Sequence, residues 1–168
     1  MFRPKIAILA LIIAILIPKN SQASSELNWG KIISADTIAD SWGTWHKNFS
    51  TYSPTVNHAD FMHAIESGTY QTLTISEFLA LGIQNQRLER YLHAKTAEEA
   101  YPSHDRPRAQ DDIDSINYLL ETTEEISPII VARTKQNDNI VYIKLDGAHR
   151  IIAAAISGSP IKILFIDL

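Results

Sequence analysis

The residues of this chain best suited to chemistry sit together in one pentapeptide, Asp146-Gly147-Ala148-His149-Arg150. It lies between the apolar run Ile140 to Leu145 and the alanine-rich stretch Ile151 to Ser157. Where a strand passes into a helix, the first backbone N–H groups of the helix have no partners, and the aligned peptide dipoles make that end partly positive. Such an end takes an oxyanion or a phosphate. Gly147 lets the backbone approach a ligand closely. Arg150 offers a planar fork that is always charged, and His149 can donate one hydrogen bond or shuttle a proton near neutral pH. Asp146 is the odd member, because a carboxylate beside a phosphate repels it unless it acts as a base, binds a divalent ion such as Mg²⁺, or caps the helix. The same residues also make an ordinary strand-to-helix turn, and spacing alone does not separate a turn from an anion cradle.

The elements that must hold this turn are legible on both sides of it. The branched run "PIIVAR" from Pro128 predicts a strand, "KQNDN" a turn and "IVYIKL" a second strand. A helix is then expected from Ala148 to Ser157, stopped by Gly158, followed by a third strand in "PIKILFIDL". That last strand-helix-strand unit is expected to be parallel with a right-handed crossover, which would set Asp146 to Arg150 at the carboxyl end of a strand, where open sheets place ligands. Upstream, "QDDIDSINYLLETTEE" puts Ile113, Ile116, Leu119 and Leu120 on one helical face behind an acidic first turn.

The N-terminal half is less regular. "NHADFMHAIESG" predicts a short helix capped by Asn57 and stopped by Gly68, and "ISEFLALGIQNQRLERYLHAKTAEEA" a longer one capped by Ser76 that tolerates Gly82. "YPSHDRPRAQ" predicts a loop. The fold class is therefore α+β: a small mixed sheet with packed helices in the C-terminal half, preceded by a helical extension.

Of the 168 residues 45% are hydrophobic and the formal charge is −4, the composition of one ordinary globular domain. The first segment reads as something else. A basic start, the unbroken apolar run Ile6 to Ile17 and the polar exit "PKNSQAS" form a signal-peptide pattern, with cleavage expected after Ala23. The run is shorter than the roughly 20 residues that span a bilayer, so a membrane association is expected only through an uncleaved leader. The expected location is secreted or periplasmic. Loss of Arg3, Lys5 and Lys19 with the leader makes the rest more acidic still, which argues against an extended nucleic-acid surface. The chain has no cysteine, hence neither disulfides nor thiol chemistry.

The stretch from about Arg106 to Leu168 resembles the ParB/sulfiredoxin superfamily. Arg106-Pro107 in a loop, a helix ending before "SPIIVAR", the strand "IVYIKL" and then "DGAHRIIAAAISGSPIKILFI" follow the order of that fold, with its Gly-x-His-Arg turn, alanine-rich helix and closing strand. With the leader at residues 1–23, the resemblance implies a core at 106–168, and residues 24–105 are expected to be a helical extension packed on it. It also implies a turn that binds the phosphate of a nucleotide or related ligand. The implied phosphate-binding set is Gly147, Ala148, His149 and Arg150, with Arg106, Arg108 and Ser115. Asp146, His149 and Arg150 would carry any catalysis, and Asp146 any metal ion. Sulfiredoxins hold their catalytic cysteine where this chain has Ala148, so the chain is not expected to be a sulfiredoxin. The sulfiredoxin helix that helps hold ATP carries Lys, Ser and Thr, where this chain has Asp112, Ser115 and Leu119. The function implied is that of an exported phosphate- or nucleotide-binding protein, with nuclease or phosphotransferase activity as the enzymatic form. A noncatalytic module that binds an anion or a protein partner is the alternative.

Three other groupings carry a chemical reading. His63 and Glu66 share a helix face near His58 and would begin a metal site, but no third ligand stands at metal spacing. Asp111, Asp112 and Asp114 suit either a divalent ion or the positive end of a helix. Trp42, Trp45 and His46 form an aromatic cluster expected to pack, with a partner groove as the alternative.

Overall fold

The computed structural model describes residues 26–30, 42–43, 45–47, 50, 55–83, 88–102 and 109–168. The expected leader, Arg106 and Arg108 lie outside the described residues. None of the described helices is long and apolar enough to cross a membrane.

The described elements run α1 (His58–Glu66), β1 (Thr69–Leu73), α2 (Ile75–Ala80), α3 (Leu88–His93), α4 (Ala97–Ala100), α5 (Ala109–Glu121), β2 (Ile129–Gln136), β3 (Asn139–Asp146), α6 (Ala148–Ser157) and β4 (Ile161–Asp167). The four strands form one mixed sheet in the order β1-β4-β2-β3, so the chain is α+β. The two central strands, β2 and β4, are near-continuous apolar runs because both of their faces are covered. Side chains alternate between the faces. Ile129, Val131, Ile161, Ile163 and Phe165 pack against Ile113 and Ile116 of α5 and Ile151 to Ala154 of α6. Ile130, Ala132, Ile143, Leu145, Leu164 and Ile166 pack against Trp45 and against Phe61 and Ala64 of α1.

The expected parallel unit β3-α6-β4 is not what forms. β4 lies parallel to β2, and β3 lies antiparallel on the far side of β2. The reason is the turn between β2 and β3: Asn137 and Asp138 both have positive φ, 47° and 65°, the conformation of a two-residue hairpin turn. A hairpin fixes β3 beside β2, and α6 then has to carry the chain over β2 to reach its other edge. The turn itself is shorter than "KQNDN", since Lys135 and Gln136 remain in β2.

The N-terminal half departs further from its expected form. Thr69–Leu73, within the segment read as helical, is an edge strand antiparallel to β4. Gly68 precedes it and is not a left-handed stop. A Cβ there would stand 2.6 Å from Leu164 Cδ1 and 2.9 Å from Phe165 O, so glycine is needed for the close approach of this segment to β4. The long helix expected from Ile75 is broken: α2 ends before Gly82, whose φ of +63° is left-handed. Its cap is Thr74 rather than Ser76, in a reciprocal box with Glu77. The hydrogen bonds from Thr74 hold the Glu77 carboxyl below its usual range. Asn57 caps α1 as expected, in a box with Asp60.

A short N-terminal strap closes the body near the end of α6. Leu27 N donates to Ser159 Oγ at 3.0 Å, Trp29 Nε1 to Pro160 O at 2.8 Å, and Trp29 bridges Ile126.

Candidate functional site

The strand-to-helix turn sits where β3 meets α6. The pairing of β2 with β3 slips there: Val131 faces Lys144 and Ile130 faces Asp146, which leaves Leu145 as an extra residue. Such a bulge re-aims the side chains beside it. Gly147 follows with φ +99°, and a Cβ on it would lie 2.3 Å from Ile129 Cγ2. Glycine is therefore required twice over, by the dihedral and by packing against Ile129.

Helix α6 starts without the usual stabilisation of its first turn. Gly147 provides no side-chain cap, and no acidic residue lies in the first turn. This uncapped end opens on a concavity of about 620 Å³ lined by Gly147, Ala148, His149 and Arg150 from the turn and Lys144 and Asp146 from β3. Asp114, Ser115, Tyr118 and Leu119 of α5 form the opposite wall.

The predicted site residues come together, but three of the side chains hold one another. Arg150 Nη1 donates to Ser127 O at 2.7 Å and to Pro128 O at 2.8 Å, and Nη2 donates to Asp146 Oδ2. Asp146 Oδ1 accepts from Gly147 N at 2.7 Å. The guanidinium fork thus ties the start of β2 to the end of β3, and both oxygens of Asp146 are occupied. His149 Nε2 lies 2.7 Å from Asp112 Oδ1. A carboxylate only accepts, so Nε2 is the donor in this bond. Tyr101 meets the same imidazole edge-on, with ring centroids 5.9 Å apart. Ser115 faces the cavity with its hydroxyl donated back to Asp111 O at 2.7 Å, which leaves it as an acceptor.

Sequence reading missed Lys144. It stands two residues before Asp146, lines the cavity, and has no hydrogen bond or ion pair among the described residues, because Arg150 and Gly147 occupy the nearby carboxylate. Burial pushes its ammonium below the ordinary lysine range and nearby Arg150 adds to this, while Asp146 opposes it. The period of a strand already placed Lys144 on the side of Asp146; what it did not reveal was that Asp146 would be engaged elsewhere. Tyr118, 56% exposed on the opposite wall and bonded to Glu124 at 2.9 Å, was also read only as part of a helix.

The metal readings find little support in the donor geometry. Among the described residues no three His, Asp or Glu side chains gather as ligands. Asp112 is taken by His149 and Asp114 accepts from Gln110 at 2.8 Å. A Mg²⁺ ion at Asp146 would have to displace a guanidinium, so this residue does not fit one. The aromatic cluster packs: Trp45 is 2% exposed against Phe61, and Trp42 meets His46, His58 and Phe61 with ring centroids 4.8 to 5.2 Å apart.

Comparison of the chain with known protein families, with curated proteins and with solved structures found no match.

Proposed function

We propose that this chain is an exported ParB/sulfiredoxin-like protein that binds a phosphate-containing ligand, a nucleotide or a simpler phosphate ester, at the amino end of α6. The observation that carries the reading is the pairing of a helix start without a side-chain cap with a lysine that makes no ion pair among the described residues, both on one concavity. Backbone N–H groups and a nearby ammonium are the donors a phosphate takes. In this reading Arg150 builds the cradle and does not clamp the ligand, since its donors already serve Ser127, Pro128 and Asp146. The fold assignment is supported by the element order from α5 to β4 and by the Gly-x-His-Arg turn that opens α6.

A phosphotransferase or nuclease form of the same site is favoured by one observation, the Asp112–His149 hydrogen bond. A carboxylate that orients an imidazole and stabilises its protonated form is a general-base arrangement. His149 would then accept a proton at Nδ1.

Thermal denaturation of the purified protein with inorganic phosphate, pyrophosphate and nucleotides tests the binding reading. A ligand at 100 times its Kd stabilises the folded state by about 2.7 kcal/mol, and this gain should disappear in Lys144→Met. No stabilisation by any phosphate at millimolar concentration overturns the reading. Phosphate release or nuclease turnover that His149→Ala abolishes would establish the catalytic form. N-terminal sequencing of exported protein should begin at Ser24; a chain that retains the leader and stays cytoplasmic overturns the export assignment.

A further inference from the structure

Lys144 is placed as few lysines are. Its stem rises from the bulged end of β3 into a concavity walled by Tyr118 and Leu119, and its nitrogen has neither an ion pair nor a hydrogen bond among the described residues. Of the other described lysines, Lys47 and Lys95 are exposed, and Lys162 and Lys135 are engaged. Lys162 donates to Gly30 O at 2.7 Å and lies over the Tyr70 ring, and Lys135 pairs with Asp138 at 3.1 Å. An amine held partly out of water without a counter-ion gives up its proton more readily and becomes a nucleophile. His149 lines the same space, with Asp112 against its Nε2.

From this placement we infer that Lys144 is a carbonyl-reactive amine, forming an imine with an aldehyde or ketone on the ligand whose phosphate sits at the start of α6. The inference rests on the phosphate-binding reading and names the substrate class: phosphate esters that also bear a carbonyl group. In the step, the lone pair of the neutral Lys144 nitrogen attacks the carbonyl carbon while the C=O π pair moves to oxygen. Two protons pass from nitrogen to that oxygen, which leaves as water, and the C=N bond remains. No oxidant, reductant or metal is consumed. The concavity, at about 620 Å³, is large enough for a small phosphorylated carbonyl compound.

Reductive trapping tests this on the full chain. The protein is treated with pyridoxal 5′-phosphate or with pyridoxal, reduced with borohydride, digested and mapped by mass spectrometry. The expected result is a reduced adduct at Lys144 ahead of Lys135 and Lys162, formed faster with the phosphorylated probe and slowed by inorganic phosphate. Lys144→Gln should lose that adduct. Lys144→Arg should lose it too while still being stabilised by inorganic phosphate, which separates the nucleophile from the charge. Label spread over the exposed lysines with Lys144 spared, while phosphate still stabilises the fold, overturns the amine and leaves the cradle standing. Selective adducts at Lys144 that form equally with both probes keep the amine and overturn the phosphate cradle.

Discussion

The two ends of α6 are both made by glycine in the left-handed region, and they do opposite things. At the carboxyl end Gly158, φ +70°, turns the chain so that its N–H and that of Ser159 return to the carbonyls of Ala154 and Ala155. The last turn is satisfied by main chain, and apart from its own chain neighbours no described atom lies within 4 Å of where a Cβ on Gly158 would be. At the amino end Gly147, φ +99°, is pressed against Ile129 and supplies no cap. The contrast teaches that one sequence signal, a glycine at a helix boundary, covers two physical situations. One closes a helix on itself, and the other brings a strand and a helix so close that the first turn is left open to a concavity.

Substitution can break this comparison. Gly147→Ala places a Cβ in both a disfavoured dihedral and a filled space, and should cost about 3 kcal/mol of unfolding free energy. Gly158→Ala meets only the dihedral and should cost about 1 kcal/mol. Equal losses in urea titrations would mean that packing against Ile129 contributes nothing.

Next in size is Arg150→Met, which removes three charge-assisted hydrogen bonds and should cost about 2 kcal/mol. Lysine cannot reproduce a fork shared between Ser127 O, Pro128 O and Asp146, so Arg150→Lys should recover only part. If both variants keep full stability and lose phosphate binding, Arg150 is a clamp after all and the open end of α6 is not the main ligand. A capped helix supplies the reference. Asn57→Ala on α1 should cost about 1 kcal/mol, the scale of the stabilisation that α6 forgoes at its own start.

The smallest effect concerns Lys144. Its folded-state pKa lies below the unfolded value, so between the two the unfolded chain binds more protons and stability rises with pH. The penalty for its charge is fully present below the folded-state pKa and is relieved as pH rises from there toward the unfolded value. Lys144→Met should therefore be at least as stable as the parent at neutral pH, and the parent should gain on it as the solution is made alkaline. A parent that loses ground to the variant with rising pH would show that Lys144 is held by a charge partner.

Much of the C-terminal half was legible because its signals are local. Gly158 and Ser157 bound the helix as predicted, and the apolar runs of β2 and β4 mark strands buried on both faces. The N-terminal half was harder. The strand Thr69–Leu73 is exposed, polar and short, so it carries no hydrophobic alternation; it forms because β4 offers an unpaired edge and Gly68 lets the chain approach it. Gly82 was read as tolerated inside a helix, and only the left-handed conformation it adopts separates a tolerated glycine from a break.

The sequence by itself determined that a positive helix start, a histidine and an arginine would meet at one turn, since residues adjacent in the chain cannot avoid each other. Tertiary structure decided which of them face outward. Asp112 reaches His149 across 37 positions of chain, and Ser127 and Pro128 take up Arg150 from the start of a different strand. Those long-range hydrogen bonds turn two of the predicted ligands into parts of the frame and leave Lys144 lining the concavity without an ion pair among the described residues. No periodicity encodes them, because whether a side chain is free depends on every other chain segment that comes within reach of it.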